Sequence, residues 1–320
     1  MIQVGLRVPR RTRRLRGSAL ACAFLIALSG CGGDNQETGA TAAGDARPPL
    51  HGFDIYAVGS ADGNIVQADV YGITLSPLRA HRLTSARRIS WLSADRGVVV
   101  VAAGDEQIDK LALLGVDGVL APIPGLGRPA GYAPQVQPDG RIQFQDDGAG
   151  DEVLYRYVSF DPNSGKTSVL YRSSKPFQIV AAGPKGTFVE VLRDPEGVDR
   201  VALLSPSGRR QAFPIAERIG SPKLGKAFIA TGVYGSTAPG APASSLVLLD
   251  LGSEKTEVID GWAPLTWTPD GTKLLVVRAG EARLPDAELA VLDPKDPKNP
   301  QVLGTIPGLT FFQADWVARD

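Results

Sequence analysis

The residues that could perform nucleophilic, acid–base or metal chemistry are few in this 320-residue chain. It contains two histidines, His51 and His81, and two cysteines, Cys22 and Cys31. A Ser-His-Asp triad needs a histidine beside the nucleophile, and a histidine-rich metal site needs more than two. The sequence also lacks a P-loop and a dinucleotide-binding glycine pattern. We therefore predict that the protein is not an enzyme and that it holds no metal and no cofactor.

Carboxylates are the one reactive group that occurs in clusters. The acidic stretches cover residues 104–109, 146–152 and 194–199. Asp146, Asp147 and Asp151 could bind calcium, although their spacing differs from that of an EF-hand loop. They could equally bind a basic partner or form a solvated acidic rim. A pair of carboxylates that hydrolyses a glycan is a further alternative, because the sequence does not give the distances between them.

Aromatic residues form a second set of candidates at the starts of predicted inner β-strands. This set comprises Tyr132, Phe177, Trp262 and Phe311. Such side chains could contact a ligand or partner at the mouth of a channel, or they could pack between layers of the core. Trp262 lies between Gly261 and Ala263-Pro264, and we expect it to be exposed. We assign Trp91, Trp267 and Trp316 to the core.

The surroundings of Cys31 indicate export. Six arginines lie between residues 7 and 16, and an apolar run from Gly17 to Leu28 follows. This run is too short to span a bilayer but suits a signal peptide. The next residues, Leu28-Ser29-Gly30-Cys31, resemble the lipobox of bacterial lipoproteins. The resemblance implies cleavage before Cys31 and attachment of diacylglyceryl and fatty acyl chains, such as palmitate, to Cys31. The alternative is an ordinary secretory signal.

Residues 31–50 are predicted to be a disordered tether. Between Gly32 and Pro49 they are rich in Gly, Ala, Thr and charged residues, with almost no large apolar side chain. Removal of the signal peptide, residues 1–30, would take away six arginines and no acid, leaving a net charge of −6. This acidic balance argues against nucleic-acid binding.

Turn motifs recur along residues 51–320 at intervals of 40 to 47 residues. In the copy at 267–277, WTPDGTKLLVV, Pro269 and Asp270-Gly271 supply turn-forming residues between two short apolar runs. One series of turns is centred at Asp95, Asp139, Lys185, Gly225 and Asp270, and the second lies near Gly72, Asp117, Ser164, Ser207, Gly252 and Pro294. Two hairpins per interval give four strands per unit, which is typical of a propeller blade.

The two ends of this region complete the last unit. Residues 311–316 (FFQADW) are predicted to be an innermost strand, and Asp54–Val58 the second strand of the same blade. We therefore predict an all-β fold: a six-bladed β-propeller of four-stranded antiparallel blades, in which the C-terminal strand joins the N-terminal blade and closes the ring. An open β-sandwich is the alternative fold.

The copy at Trp267 also resembles a known repeat. The stretch Trp267-Thr-Pro-Asp-Gly-Thr-Lys-Leu-Leu-Val-Val is similar to the repeat of TolB-type, WD40-like propellers. The resemblance implies the propeller fold and a tendency to bind proteins or peptides, but it does not imply an activity.

These observations predict an extracytoplasmic lipoprotein that is anchored to the bacterial cell membrane through Cys31. We expect its propeller to be a monomeric binding or scaffold module for an envelope protein or peptide. Binding of a small molecule or glycan over the central channel is the alternative. The loops between blades, and those between second and third strands, are predicted to form the binding face.

Overall fold

The protein is built from six small antiparallel sheets arranged as a ring. The computed structural model describes residues 52–64, 67–85, 88–105, 108–127, 131–146, 155–173, 178–182, 188–193, 199–205, 209–214, 220, 222–233, 245–279 and 286–317. Within these ranges, 24 strands form six sheets of four. The predicted six-bladed β-propeller is therefore confirmed.

Each sheet is one blade, with its four strands in order from the innermost to the outermost. Blade 1 contains β24 (Thr310–Trp316), β1 (Ile55–Ser60), β2 (Asp69–Leu75) and β3 (Leu78–Arg82). Blade 2 contains β4 (Ile89–Asp95), β5 (Val98–Asp105), β6 (Ile108–Leu114) and β7 (Leu120–Pro122). Blade 3 contains β8 (Tyr132–Val136), β9 (Ile142–Asp146), β10 (Tyr155–Asp161) and β11 (Lys166–Ser173).

The other three blades follow the same order along the chain. Blade 4 contains β12 (Gln178–Ala182), β13 (Phe188–Arg193), β14 (Asp199–Leu204) and β15 (Arg210–Pro214). Blade 5 contains β16 (Lys223–Leu224), β17 (Phe228–Val233), β18 (Ser245–Asp250) and β19 (Thr256–Asp260). Blade 6 contains β20 (Ala263–Trp267), β21 (Leu274–Ala279), β22 (Ala287–Leu292) and β23 (Gln301–Ile306).

The hairpin between β20 and β21 shows how the repeated turn forms. Thr268 donates its backbone N–H to the carbonyl of Lys273, and its hydroxyl donates to Asp270 at 2.6 Å. Asp270 also accepts the N–H and the hydroxyl of Thr272. Gly271 adopts φ 68°, a left-handed conformation that disfavours side chains with a Cβ atom. The Asp-Gly pair therefore determines where β20 ends and β21 begins.

The ring is closed by the two ends of the propeller. β24 pairs antiparallel with β1, with Trp316 opposite Ile55 and Ala314 opposite Ala57. β24 also contacts the inner strands on both sides, β20 and β4. This pairing covers an edge of β1 that would otherwise be open. The predicted closure by the C-terminal strand is confirmed.

The apolar core lies between the blades rather than within any one of them. Six clusters of buried side chains correspond to the six blade-to-blade interfaces, and the cluster between blades 6 and 1 includes Leu275, Leu289, Ile55 and Ile73. Leu274 to Val277 are all buried, because β21 packs against a neighbouring blade on each face.

A β-bulge recurs near the start of the inner strands. The register between the inner and second strands shifts by one residue in blades 1, 2, 3, 4 and 6. The sequence did not predict these shifts. A bulge bends a strand and interrupts its ladder, so it makes the inner edge irregular where it faces the axis.

One predicted turn is wrong. The turn expected near Gly72 lies at Ser76-Pro77, and Gly72 is inside β2. A Cβ atom at this position would lie 2.5 Å from the ring of Phe53, so this glycine is needed for packing. No helix in the described part of the chain is both long and apolar enough to cross a membrane.

Candidate functional site

Four of the predicted site residues lie outside the described residues: Cys31, Phe177, Asp147 and Asp151. The structure therefore leaves lipid attachment and the calcium alternative as predictions. Among the residues that are described, no group of three or more His, Cys, Asp or Glu side chains could hold a metal ion.

Trp262 is buried, so the expectation that it is exposed is wrong. Its relative exposure is 3%, and it packs in the cluster between blades 5 and 6. The guanidinium of Arg278 lies over its ring, 4.2 Å from the centroid, which is a cation–π geometry. Arg278 is half-exposed and pairs with Glu288 at 3.2 Å. The group available for contact here is therefore Arg278, whose guanidinium stacks on the buried Trp262 ring.

Phe311 and Tyr132 differ in their surroundings. Phe311 is 4% exposed and packs edge-on against Tyr71, with ring centroids 6.0 Å apart. Tyr132 is half-buried and begins β8 at a bulge. The next residue, Ala133, has φ 49°, a strained conformation for a residue with a Cβ atom. Phe311 thus packs between blades, while Tyr132 keeps part of its surface exposed.

Asp146 is held by an ion pair within blade 3. Its Oδ2 accepts from a guanidinium nitrogen of Arg156 at 2.5 Å, and both side chains are partly exposed. A carboxylate in this pairing can stabilise the sheet, and the same two groups remain accessible to a partner.

Five of the six inner strands carry a polar residue at an equivalent place, a pattern that sequence reasoning missed. Pairing with the second strands shows which residues hold equivalent places near the ends of these inner strands. They are Ala94, Val136, Leu224, Trp267 and Trp316. The residue just before each of them is polar. We name this set the axial belt: Ser93, Gln135, Lys223, Thr266 and Asp315.

Two members of the axial belt link neighbouring blades by the same contact. Asp315 Oδ2 accepts the backbone N–H of Ala94 at 2.9 Å and the hydroxyl of Ser93 at 3.1 Å. Ser93 Oγ in turn accepts the backbone N–H of Val136 at 2.9 Å. An inner edge leaves backbone N–H groups without strand partners, and these side chains satisfy two of them. The axial belt therefore joins blades 1, 2 and 3.

Lys223 is fixed in the belt by its backbone. Its carbonyl accepts the indole N–H of Trp267 at 3.0 Å. A Cβ atom at Gly225 would lie 2.6 Å from the ring of Trp267, so the turn after β16 packs directly on this indole. Trp267 thus sets the position of Lys223 from the adjacent blade.

The axial belt contains one cation and one carboxylate that attract each other. Burial lowers the pKa of Lys223 to about 8, and the charge of Asp315 opposes this shift. Burial raises the pKa of Asp315. The hydrogen bond from the Ala94 N–H and the charge of Lys223 partly counter this rise. Since β20 lies between β16 and β24 in the ring, this attraction runs across the axial space.

Trp91 lies near the other end of the inner strands. It is half-buried and contacts both the cluster between blades 2 and 3 and the cluster between blades 4 and 5. Those clusters belong to different sides of the ring, so the indole reaches across the axis. Along β4, Trp91 therefore lies on the side of Ser93 that is remote from the tight turn.

Comparison with known proteins supports the fold. The structure is similar to TolB from Acinetobacter baumannii, with 13% identity and a TM-score of 0.58 over 82% of this chain and 66% of that one. A putative TolB from Agrobacterium tumefaciens is 11% identical, with a TM-score of 0.53 over 80% of this chain and 98% of that one. XC5397 from Xanthomonas campestris, a gluconolactonase, is 10% identical, with a TM-score of 0.50 over 67% of this chain and 77% of that one.

No protein-family model and no curated protein sequence matches the chain. The chain spans just under two thirds of the length of the Acinetobacter protein. The likeness therefore defines a class by fold: this is a six-bladed β-propeller whose fold is similar to that of TolB.

Proposed function

We propose that this protein is a lipid-anchored, extracytoplasmic and non-catalytic module whose propeller binds an envelope protein or peptide. The anchor would be Cys31, at the end of the lipobox-like sequence Leu28-Ser29-Gly30-Cys31. A closed ring with cores between all blades is rigid, and rigid scaffolds that present loops are suited to binding.

The observation that carries the proposal is the arrangement of Arg278 on Trp262. Arg278 lies near the end of β21 and Trp262 immediately before β20, so both belong to the predicted binding face. The guanidinium is half-exposed, while its stem and charge are held by Trp262 and by Glu288 at 3.2 Å. A preoriented arginine loses little side-chain entropy on binding, and arginines are frequent in binding hot spots. An acidic or polar partner segment fits this group best.

Capture of partners in intact cells tests the binding function. We expect chemical crosslinking of the wild-type protein to capture a reproducible envelope protein. Arg278→Ala should reduce that capture by at least about tenfold if the lost contact contributes about 1.4 kcal/mol or more. Arg209→Ala, at an exposed arginine beside β15, is the matched control and should leave capture unchanged. Equal capture by all three proteins would remove Arg278 from the proposal.

Trp262 itself is a poor probe of binding because its removal would disturb the fold. Trp262→Ala deletes a buried indole and should destabilise the protein by about 3–5 kcal/mol. Arg278→Ala removes a half-exposed side chain and should cost about 1 kcal/mol or less. A binding defect in the arginine variant, with its melting temperature nearly unchanged, would therefore report on the contact.

The anchor has a separate test. Cys31→Ser should leave the chain unprocessed or release it from the membrane, measured by fractionation and by metabolic labelling with a fatty acid. Normal membrane retention of this variant would contradict lipid attachment at Cys31. The alternative function, binding of a small molecule or glycan over the channel, predicts ligand binding by the purified protein without any captured protein.

A further inference from the structure

Lys223 differs from its neighbours in the axial belt because its side chain cannot accept a backbone N–H from the next inner strand. Asp315 and Ser93 each accept a backbone N–H from the next inner strand. A lysine ammonium only donates hydrogen bonds, so it cannot accept the N–H of Trp267 in the equivalent place. The blades are instead joined at this point by the indole of Trp267, which donates to the carbonyl of Lys223.

The three N–H groups of the Lys223 ammonium are potential hydrogen-bond donors to a ligand. Within the described ranges it makes no ion pair and no hydrogen bond to protein, although Asp315 attracts it. Asp315 already accepts the N–H of Ala94 and the hydroxyl of Ser93. Lys223 is only half-buried, so a ligand that enters the channel can reach it. A partly buried cation without a hydrogen-bonded counterion has lost part of its hydration, and a bound anion would offset this cost.

The position of Lys223 is also well defined. β16 is a strand of two residues, and it is clamped by the bond from Trp267 and by the packing of Gly225 on the indole. Trp91 covers the other end of the axis. The polar axial belt therefore lies on the tight-turn side of the Trp91 indole, and within the described ranges Lys223 is its cation without a hydrogen-bonded partner.

We propose that the tight-turn end of the axial channel is a second binding site, in which Lys223 binds the carboxylate of a small monoanionic ligand. This site lies at the opposite end of the ring from Arg278 and does not depend on the proposed partner binding. The preference for one negative charge follows from Asp315, because its carboxylate repels a second charge brought near Lys223. Phosphate, a large share of which carries a second negative charge at neutral pH, should therefore bind more weakly than a monocarboxylate.

Acetate is a suitable probe, and NMR of lysine side chains labelled with ¹³C at Cε measures its binding. At constant ionic strength, replacement of chloride by acetate should shift the Lys223 signal saturably, with a dissociation constant on the order of 1–10 mM. Lys223→Met identifies the signal and should abolish this response. Lys226→Met removes an exposed lysine from the same turn and should retain the response. Inorganic phosphate should bind at least about threefold more weakly than acetate.

The variant Asp315→Asn provides an independent test of the proposal. Because the charge of Asp315 also raises the pKa of Lys223, the two proteins are compared at a pH where the ¹³Cε shift shows Lys223 protonated in both. There, removal of the competing carboxylate should strengthen acetate binding by about three- to tenfold and should reduce the discrimination against phosphate. The proposal is overturned if acetate causes no saturable shift at Lys223, if Lys226 responds equally, or if phosphate binds as tightly as acetate to the wild-type protein. It is also overturned if Asp315→Asn weakens acetate binding while the variant remains folded and its Lys223 remains protonated.

Discussion

Ile55 lies directly opposite Trp316 in an antiparallel strand pair that joins the first and last strands of the propeller. This pair places residues from the two ends of the folded region in one blade. Every blade therefore has two neighbours, and no inner or second strand is left without a sheet partner in the described part of the ring.

Deletion of residues 309–320 should unfold or aggregate the protein. The truncation removes β24, opens the edge of β1 and exposes the cores on both sides of blade 1. We expect loss of the cooperative thermal transition, measured by circular dichroism and light scattering. A shorter deletion of residues 318–320 removes no paired residue of β24 and is the control. An unchanged melting curve for the longer deletion would show that the ring does not need its last strand.

Gly225→Ala should destabilise the protein by about 1–3 kcal/mol, because the new Cβ atom would lie 2.6 Å from the indole of Trp267. Urea denaturation measures this difference. Gly252→Ala is a matched control, since its Cβ atom would meet only Asp250 at 3.4 Å, an ordinary contact. We expect that variant to stay within about 0.5 kcal/mol of the wild type. Equal effects in both variants would contradict tight packing of β16 on Trp267.

Lys223→Met should raise the free energy of unfolding at pH 7 by about 1–3 kcal/mol. The native pKa of Lys223, about 8, lies below its ordinary value of 10.5, so the unfolded chain binds the proton more readily. Stability of the wild type should thus rise between pH 8 and 10.5 relative to the variant, so the difference should shrink across this range and stay small and constant above it. Denaturant titrations of both proteins across this range measure the effect. A difference independent of pH would mean that burial does not shift this group.

Arg210→Ala should destabilise the protein by about 3–5 kcal/mol. Glu190 is fully buried in β13, and Arg210 donates to both of its carboxylate oxygens, at 2.7 and 2.9 Å. Removal of the arginine would leave this carboxylate buried without its cation. Arg209→Ala, one residue earlier and exposed, should change stability by less than about 0.5 kcal/mol. If the two variants have the same melting temperature, Glu190 must have another source of stabilisation.

The architecture could be predicted from the sequence because its information is local and repeated. The turn at Asp270-Gly271 specifies its own hairpin through bonds between neighbouring residues, and similar turns mark the other blades. The turn placed near Gly72 was wrong because that glycine is required by the ring of Phe53, which packs on it from outside the hairpin. A glycine thus indicated a turn where the real cause was a tertiary contact.

The axial belt could not be predicted in the same way, since its members come from five strands that are distant in sequence. Lys223 precedes Leu224 as Asp315 precedes Trp316, but this equivalence appears only once the strand registers are known. Alignment of the repeats on their inner strands would have shown a polar residue at this place in five of the six blades; blade 4 has Ala181 there. Trp262 was misjudged for a related reason: neighbouring Gly and Pro residues favour a loop, but they do not show that Arg278 and blade 5 cover the indole.

The blade shared by both chain ends affects biosynthesis. β1 is among the first strands to be made, and its inner partner β24 is made last. At about 5–20 residues per second, β1 waits roughly 15–50 s for that partner. During this time the edge of β1 lacks its inner partner and can pair with another extended chain.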